Sequence, residues 1–240
     1  MVQDKADRFL FKWYHGPIIS YMLALTFESL GWKTTFAESE FLKWRSLDLD
    51  VRKPHDFRPD YEAKDTESFF ACEIKVGYTR KRKSPLPETD KHVEQFRREA
   101  KNSVKWAKQL NLKPVYGLAL GCDLPVKVCK ELNQISKHFI LLKVKSSEQG
   151  LEACYPLVEK IQGYEIPDLK HQFNANSQKE WRQFANYNKS ILRLLAKTDY
   201  PSPRSAAEGF AKKVFGKNPS EIKWQNLFSS LSVGKPISKW

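Results

Sequence analysis

The chain is poor in cysteine, and its four cysteines are not spaced for metal. Cys72, Cys122, Cys129 and Cys154 form no CxxC pair and no zinc-ligand pattern. Free, mostly buried thiols in a reducing cytosol are the expectation. No apolar run reaches the length of a membrane span, and Met1-Val2-Gln3-Asp4-Lys5 does not read as a signal peptide. A cytoplasmic protein with no membrane partner is expected. Internal repeats and low-complexity tracts are also missing.

What is present is enough for a core. The chain has 240 residues, 41% hydrophobic and 13% aromatic, so it holds one large domain or two small ones. The net charge is +13 and the pI about 9.5, which favours a polyanion over a small acidic substrate. The charge is uneven. From Lys170 to Trp240 there are 13 basic and 4 acidic residues, a net of +9, against +4 for residues 1–169. That excess is more than solubility alone requires.

The most informative stretch is Arg58-Pro59-Asp60 followed by Phe69-Phe70-Ala71-Cys72-Glu73-Ile74-Lys75-Val76. Residues 68–76 are rich in aromatic and β-branched side chains and read as a strand. The pleat puts Phe70, Cys72, Ile74 and Val76 on a core face and Ala71, Glu73 and Lys75 on the other. Phe57 to Ala63 reads as the preceding strand, and Lys64-Asp65-Thr66-Glu67 as a polar turn. A hairpin then brings Asp60 beside Glu73. Two carboxylates supply hard oxygen donors for Mg²⁺, and Lys75 supplies a cation to manage a nucleophile or developing charge. A solvated strand face with a local ion pair is the bland alternative.

Other matches in the chain fare worse. Glu62-Ala63-Lys64 runs into the polar turn. Glu221-Ile222-Lys223 follows Asn218-Pro219, a helix-start signal, and acids are common in a first helical turn. Pro167-Asp168 repeats only the Pro-Asp half.

On Pro59-Asp60 and Glu73-Ile74-Lys75 the chain resembles the PD-(D/E)xK nuclease superfamily, over roughly residues 15–145. The resemblance implies a restriction-endonuclease-like α/β core, a central mixed sheet flanked by helices, built as helix, three strands, helix and strand. It implies Asp60, Glu73 and the Ile74 carbonyl as ligands of Mg²⁺, with Mn²⁺ as a substitute, and Lys75 as a catalytic residue. A first-helix acid often joins such sites; Glu28 is the candidate here, with Glu38 and Glu40 as competitors and a solvent-reaching rim residue as the alternative. Some relatives place a metal-binding histidine where His15 lies, although an exposed flank residue is the simpler reading. A glutamine on the helix after the motif supports many such sites, which makes Gln95 a supporting candidate, with a plain surface residue as the more common reading.

Pro17 to Leu30 reads as a buried helix stopped by Gly31, and Trp32 to Ala37 as the first strand. The loop Arg80-Lys81-Arg82-Lys83 follows the motif strand and can reach phosphates, unless it is a targeting signal or plain solvated loop. Residues 88–110 form an amphipathic helix, with His92, Gln95 and Glu99 along one flank of its apolar stripe. Pro114 to Gly121 is a buried strand, residues 125–136 a helix, and His138 to Val144 another buried strand, a parallel crossover unit. Leu151 to Gly163 reads as a further helix and residues 164–176 as a linker, after which Ser177 and Glu180 form a capping box.

The expected division is a nuclease core over 1–165 and an all-helical basic DNA-binding region over 166–240. In the second part, a helix from Ser202-Pro203 to Gly216 and one from Asn218-Pro219 suggest a helix-turn-helix, with a helical cap on the core as the equal alternative. Lys212, Lys213, Lys217 and Lys223 are its nucleic-acid-binding candidates.

The function implied is a Mg²⁺-dependent endonuclease cutting double-stranded DNA, restriction-like or of transposon-end type, acting as a homodimer or with a partner nuclease or transposase subunit. A junction-resolving nuclease, an RNA endonuclease and an inactive DNA-binding module with the same fold are the rival readings.

Overall fold

A computed structural model describes residues 15–36, 59–76, 85–147 and 155–197, together with Lys212 and Gly216. It is an α/β fold: a six-stranded mixed sheet with four helices packed on it. In chain order the elements are α1 (His15–Ser29), β1 (Lys33–Phe36), β2 (Tyr61–Lys64), β3 (Ser68–Lys75), α2 (Lys91–Gln109), β4 (Lys113–Leu120), α3 (Val126–Ser136), β5 (Phe139–Ser146), β6 (Pro156–Gly163) and α4 (Leu169–Lys197). The strands lie in sequence order across the sheet. β1, β2 and β3 are antiparallel neighbours, β3, β4 and β5 are parallel, and β6 returns antiparallel.

The centre of the sheet follows from composition. Residues 68–74 of β3 and 115–120 of β4 are buried without interruption, as expected for parallel strands covered on both faces. On one face, Phe70, Cys72, Ile74 and Val76 join residues of α1 and α4, including Leu23, Phe27 and Phe173. On the other, Tyr116, Leu118 and Leu141 pack against Val93 and Phe96 of α2 and Leu132 of α3. Phe69 and Ala71 meet Trp106 and Ala107 of α2. So the Ala71–Glu73–Lys75 face of β3 is roofed by a helix.

Two close approaches fix the sheet. A Cβ on Gly117 would stand 2.6 Å from the Phe70 ring, which stacks on Phe27 at a centroid distance of 4.7 Å. Only glycine leaves that ring its place between strands. At the far edge, Gly163 has φ +94° and would drive a Cβ into the Phe139 carbonyl oxygen.

The turn between β2 and β3 is held by Asp65, whose Oδ1 accepts from the backbone N–H of Glu67 and Ser68. Asp90 caps α2, accepting from His92 N–H at 3.0 Å, with Glu94 in the first turn and Lys108 in the last.

Three expectations are corrected at the C-terminal side. Pro156–Gly163 is strand β6, not a helix. It is an edge strand whose register shifts between Lys143 and Val144, which breaks the alternation that would have marked it. The turn chemistry of 164–168 is real, but the linker is short: α4 begins at Leu169. Ser177 and Glu180 therefore lie inside α4, both buried, and cap nothing. Ile166, Leu169, Phe173, Trp181 and Ala185, beyond the expected boundary, belong to the same core as α1 and the sheet.

Asn174 of α4 pairs with the edge of β6. Its Oδ1 accepts from Val158 N–H at 2.9 Å, and its Nδ2 donates to Val158 O at 3.2 Å. None of the described helices is long and apolar enough to cross a membrane.

Candidate active site

Antiparallel register builds the centre of the site. Tyr61 stands opposite Cys72, so the next position back on β2 sets Asp60 opposite Glu73. Asp60 immediately precedes β2. Its Oδ2 accepts from the Ile74 backbone N–H at 2.7 Å and from Lys75 Nζ at 3.2 Å. Lys75 Nζ also donates to Glu73 Oε2 at 2.9 Å. The expected same-side pair on β3 is thus a three-residue cluster with Asp60.

Helix α2 closes it from above. Gln95 Nε2 donates to Glu73 Oε2 at 3.2 Å, and Gln95 Oε1 lies 3.4 Å from His92 Nδ1. Exposure is graded. The Glu73 side chain is 2% exposed, Asp60 25% and Lys75 23%, so solvent reaches the cluster from the Asp60–Lys75 side with Glu73 at the bottom.

Electrostatics follow from that burial. The Glu73 carboxyl is pushed up to about 8, first by burial and then by the Asp60 charge, with Lys75 opposing. Burial pulls the Lys75 ammonium down, but Asp60 and then Glu73 outweigh it and hold it above the ordinary lysine value. A neutral Glu73 and a lysine raised by its charge belong to different microstates. Glu73 and Lys75 titrate as a pair, beside the Asp60 carboxyl group. Fully ionised, the cluster carries one uncompensated negative charge in a largely dry place.

The donor set fits a hard divalent cation. Both hydrogen bonds on Asp60 from described residues fall on Oδ2, and both on Glu73 fall on Oε2. The second oxygen of each carboxylate takes none from a described residue. Mg²⁺ is commonly held by one or two carboxylates and keeps several waters. Among the described residues no group of three or more His, Cys, Asp or Glu is arranged around a metal position, so a zinc-type cage has no support there. Cys72 lies beneath, facing the opposite core, and burial pushes its thiol well up, so it does not offer a thiolate.

Of the residues picked from the sequence, Asp60, Glu73, Ile74, Lys75 and Gln95 come together. Glu28 does not join them. It is exposed near the end of α1 and accepts from Thr34 Oγ1 at 3.0 Å. Thr34 pairs with Ala63, three residues along β2 from Asp60, and α1 covers the opposite face of the sheet. His15 is the first residue of α1. Lys212 is exposed, and Gly216 has φ +62° with its N–H donating to Lys212 O. Glu38, Glu40, Arg80, Lys81, Arg82, Lys83, Lys213, Lys217 and Lys223 lie outside the described residues.

Two buried acids were passed over. Glu62, dismissed with the turn, sits on β2 and is 3% exposed. It follows Asp60 by two residues, so the pleat gives it the same face. Glu99 is equally buried on α2, one turn beyond Gln95, and its charge reaches Glu73. Both spacings were visible in the sequence; their burial was not.

Comparison with protein-family models, curated proteins and solved structures finds no match for this chain.

Proposed function

We propose that the chain is a Mg²⁺-dependent phosphodiester hydrolase acting on double-stranded DNA, with a restriction-endonuclease-like core. The observation that carries the reading is the cluster itself. Asp60 and Glu73 converge from adjacent strands on one lysine, and with both acids ionised the cluster carries one negative charge more than Lys75 balances. The order of helix, three strands, helix and strand ahead of β5 supports the same reading, as does the +13 net charge.

Asp60 and Glu73 would hold the cation, with the Ile74 carbonyl as a further oxygen. When bound, the ion lowers the pKa of a coordinated water and neutralises charge on the phosphate. The chain supplies the rest. The Ile74 N–H fixes the Asp60 carboxylate, and Gln95 fixes Glu73 from the helix side. Lys75 is held protonated by its two neighbours, so it acts as a charge and a donor toward the scissile phosphate or its nucleophile. The role of general base, open on the sequence, is not favoured by that electrostatic setting.

The test is incubation of the full chain with plasmid, branched DNA and RNA, each with Mg²⁺ or EDTA. Discrete plasmid fragments with Mg²⁺ alone support the proposal. Cutting only at branches would favour a resolvase, and cutting only RNA a ribonuclease. No cutting of any substrate, with DNA binding intact, would leave the inactive binding module.

A further inference from the structure

The outer face of α2 carries a run of four cations, three of which have no ion pair with a described residue. Arg98, Lys101, Lys105 and Lys108 are all exposed, and their steps of three, four and three residues set them along one side of the helix. At the helical rise the run is about 15 Å long. Same-sign neighbours at these spacings repel and weaken a helix. A surface kept only for solubility mixes the two signs.

Here the nearby acids are already engaged. Glu94 and Glu131 pair with Arg97, and Glu88 pairs with Lys127. Arg98 stands 3.8 Å from the buried Glu99. Lys101, Lys105 and Lys108 have no ion pair with a described residue. On α3, which covers the same face of the sheet, Lys130 is exposed as well. The helix that bears this run also reaches the carboxylate cluster, through Gln95, three residues before Arg98.

We propose that the outer face of α2 is a rail for the phosphate backbone of the duplex cut at Asp60, Glu73 and Lys75, a partner that rests on the nuclease reading above. Phosphates along one strand advance about 3.4 Å each along the duplex axis, so a run of about 15 Å spans roughly four of them. Four cations meet that number. The run holds only long cationic side chains, which position a duplex without reading base edges. Grip by this helix is therefore sequence-independent, and it is separate from the loop and tail lysines.

The test measures duplex affinity by fluorescence anisotropy in EDTA, where cleavage plays no part, over about 50 to 200 mM salt. The full chain is compared with R98Q/K101Q/K105Q/K108Q, in which glutamine keeps helix propensity. The expected result is a salt slope smaller by about 3 to 4, at roughly 0.9 per phosphate contact, and at least a tenfold loss of affinity on every duplex sequence. K170Q/K179Q/R182Q, at exposed positions of α4, is expected to change the slope by less than about one contact. K101R/K105R/K108R is expected to keep the wild-type slope. An unchanged slope in the glutamine variant overturns the proposal. So does an equal loss in the α4 variant, a loss in the arginine variant, or a loss seen only with phosphatidylserine vesicles. Wild-type protein that shows the slope but never cuts with Mg²⁺ sinks the nuclease reading and leaves the rail standing.

Discussion

Gln95 donates to the same Glu73 oxygen, Oε2, that receives Lys75. Helix and strand are thereby joined at the one carboxylate of the cluster that solvent does not reach. The bond limits Glu73 to a narrow set of positions, while His92 faces the other end of the Gln95 amide.

Gln95→Leu is therefore expected to lower cleavage about tenfold, the size of one hydrogen bond to a charged group. The loss belongs in kcat, with duplex affinity unchanged. Steady-state kinetics that place it in KM alone would mean that Gln95 touches DNA instead. Gln95→Glu adds a carboxylate beside Glu73 and is expected to be worse than leucine at neutral pH.

The raised Glu73 makes stability depend on pH. An acid whose folded pKa lies above its unfolded value stabilises the fold in its protonated form. That contribution is whole below the ordinary value of 4.5 and is lost as pH rises toward about 8. Wild-type Tm is expected to fall from pH 5 to 8 relative to Glu73→Gln, which cannot ionise. A gap of several degrees corresponds to roughly 1–3 kcal/mol. Added Mg²⁺ at pH 8 is expected to raise the wild-type Tm and leave the glutamine variant where it was. Parallel pH curves for the two proteins would contradict the burial argument.

Lys75→Met keeps the hydrocarbon stem and removes the charge. Loss of a preorganised cation at a reacting phosphate is expected to cost about 100-fold or more in rate. The two carboxylates then face each other without relief, so the variant should also melt lower than wild type at pH 8 in EDTA. Single-turnover cleavage at the wild-type rate would remove Lys75 from the chemistry.

Gly117→Ala tests the sheet instead of the site. The added methyl meets the Phe70 ring at 2.6 Å. Overpacking of this kind costs about 1–3 kcal/mol. Phe70→Leu on top of Gly117→Ala is expected to recover part of the loss, which urea titration of the two variants measures.

The sequence was most legible where one period ran unbroken. β3 opens on the apolar run Phe69 to Cys72, β4 is apolar from Pro114 to Leu120 and α2 carries a regular stripe, whose Val93, Phe96, Ala100 and Ala107 are buried. The Asp60–Glu73 approach followed from a short hairpin whose turn residue, Asp65, does what its chemistry suggests. Legibility ended where tertiary contacts override local signals. β6 hides behind a bulge and the exposed charges of Glu159 and Lys160. The first turns of α4 look like a linker because Asn174 and Asn176 are poor helix formers, yet Leu169, Phe173, Ser177 and Trp181 run down one buried side. Glu28 stands apart from the cluster for a different reason. Register decides which end of β2 a residue meets, and composition does not report register.

The Asn174 amide has a consequence beyond its own two bonds. It presents Val158 with a donor and an acceptor in the arrangement a neighbouring strand would use. A second chain seeking to continue the sheet past β6 finds those two groups already answered by a side chain. Growth of the sheet in that direction is blocked by a residue whose identity looks, in the sequence, like part of a linker.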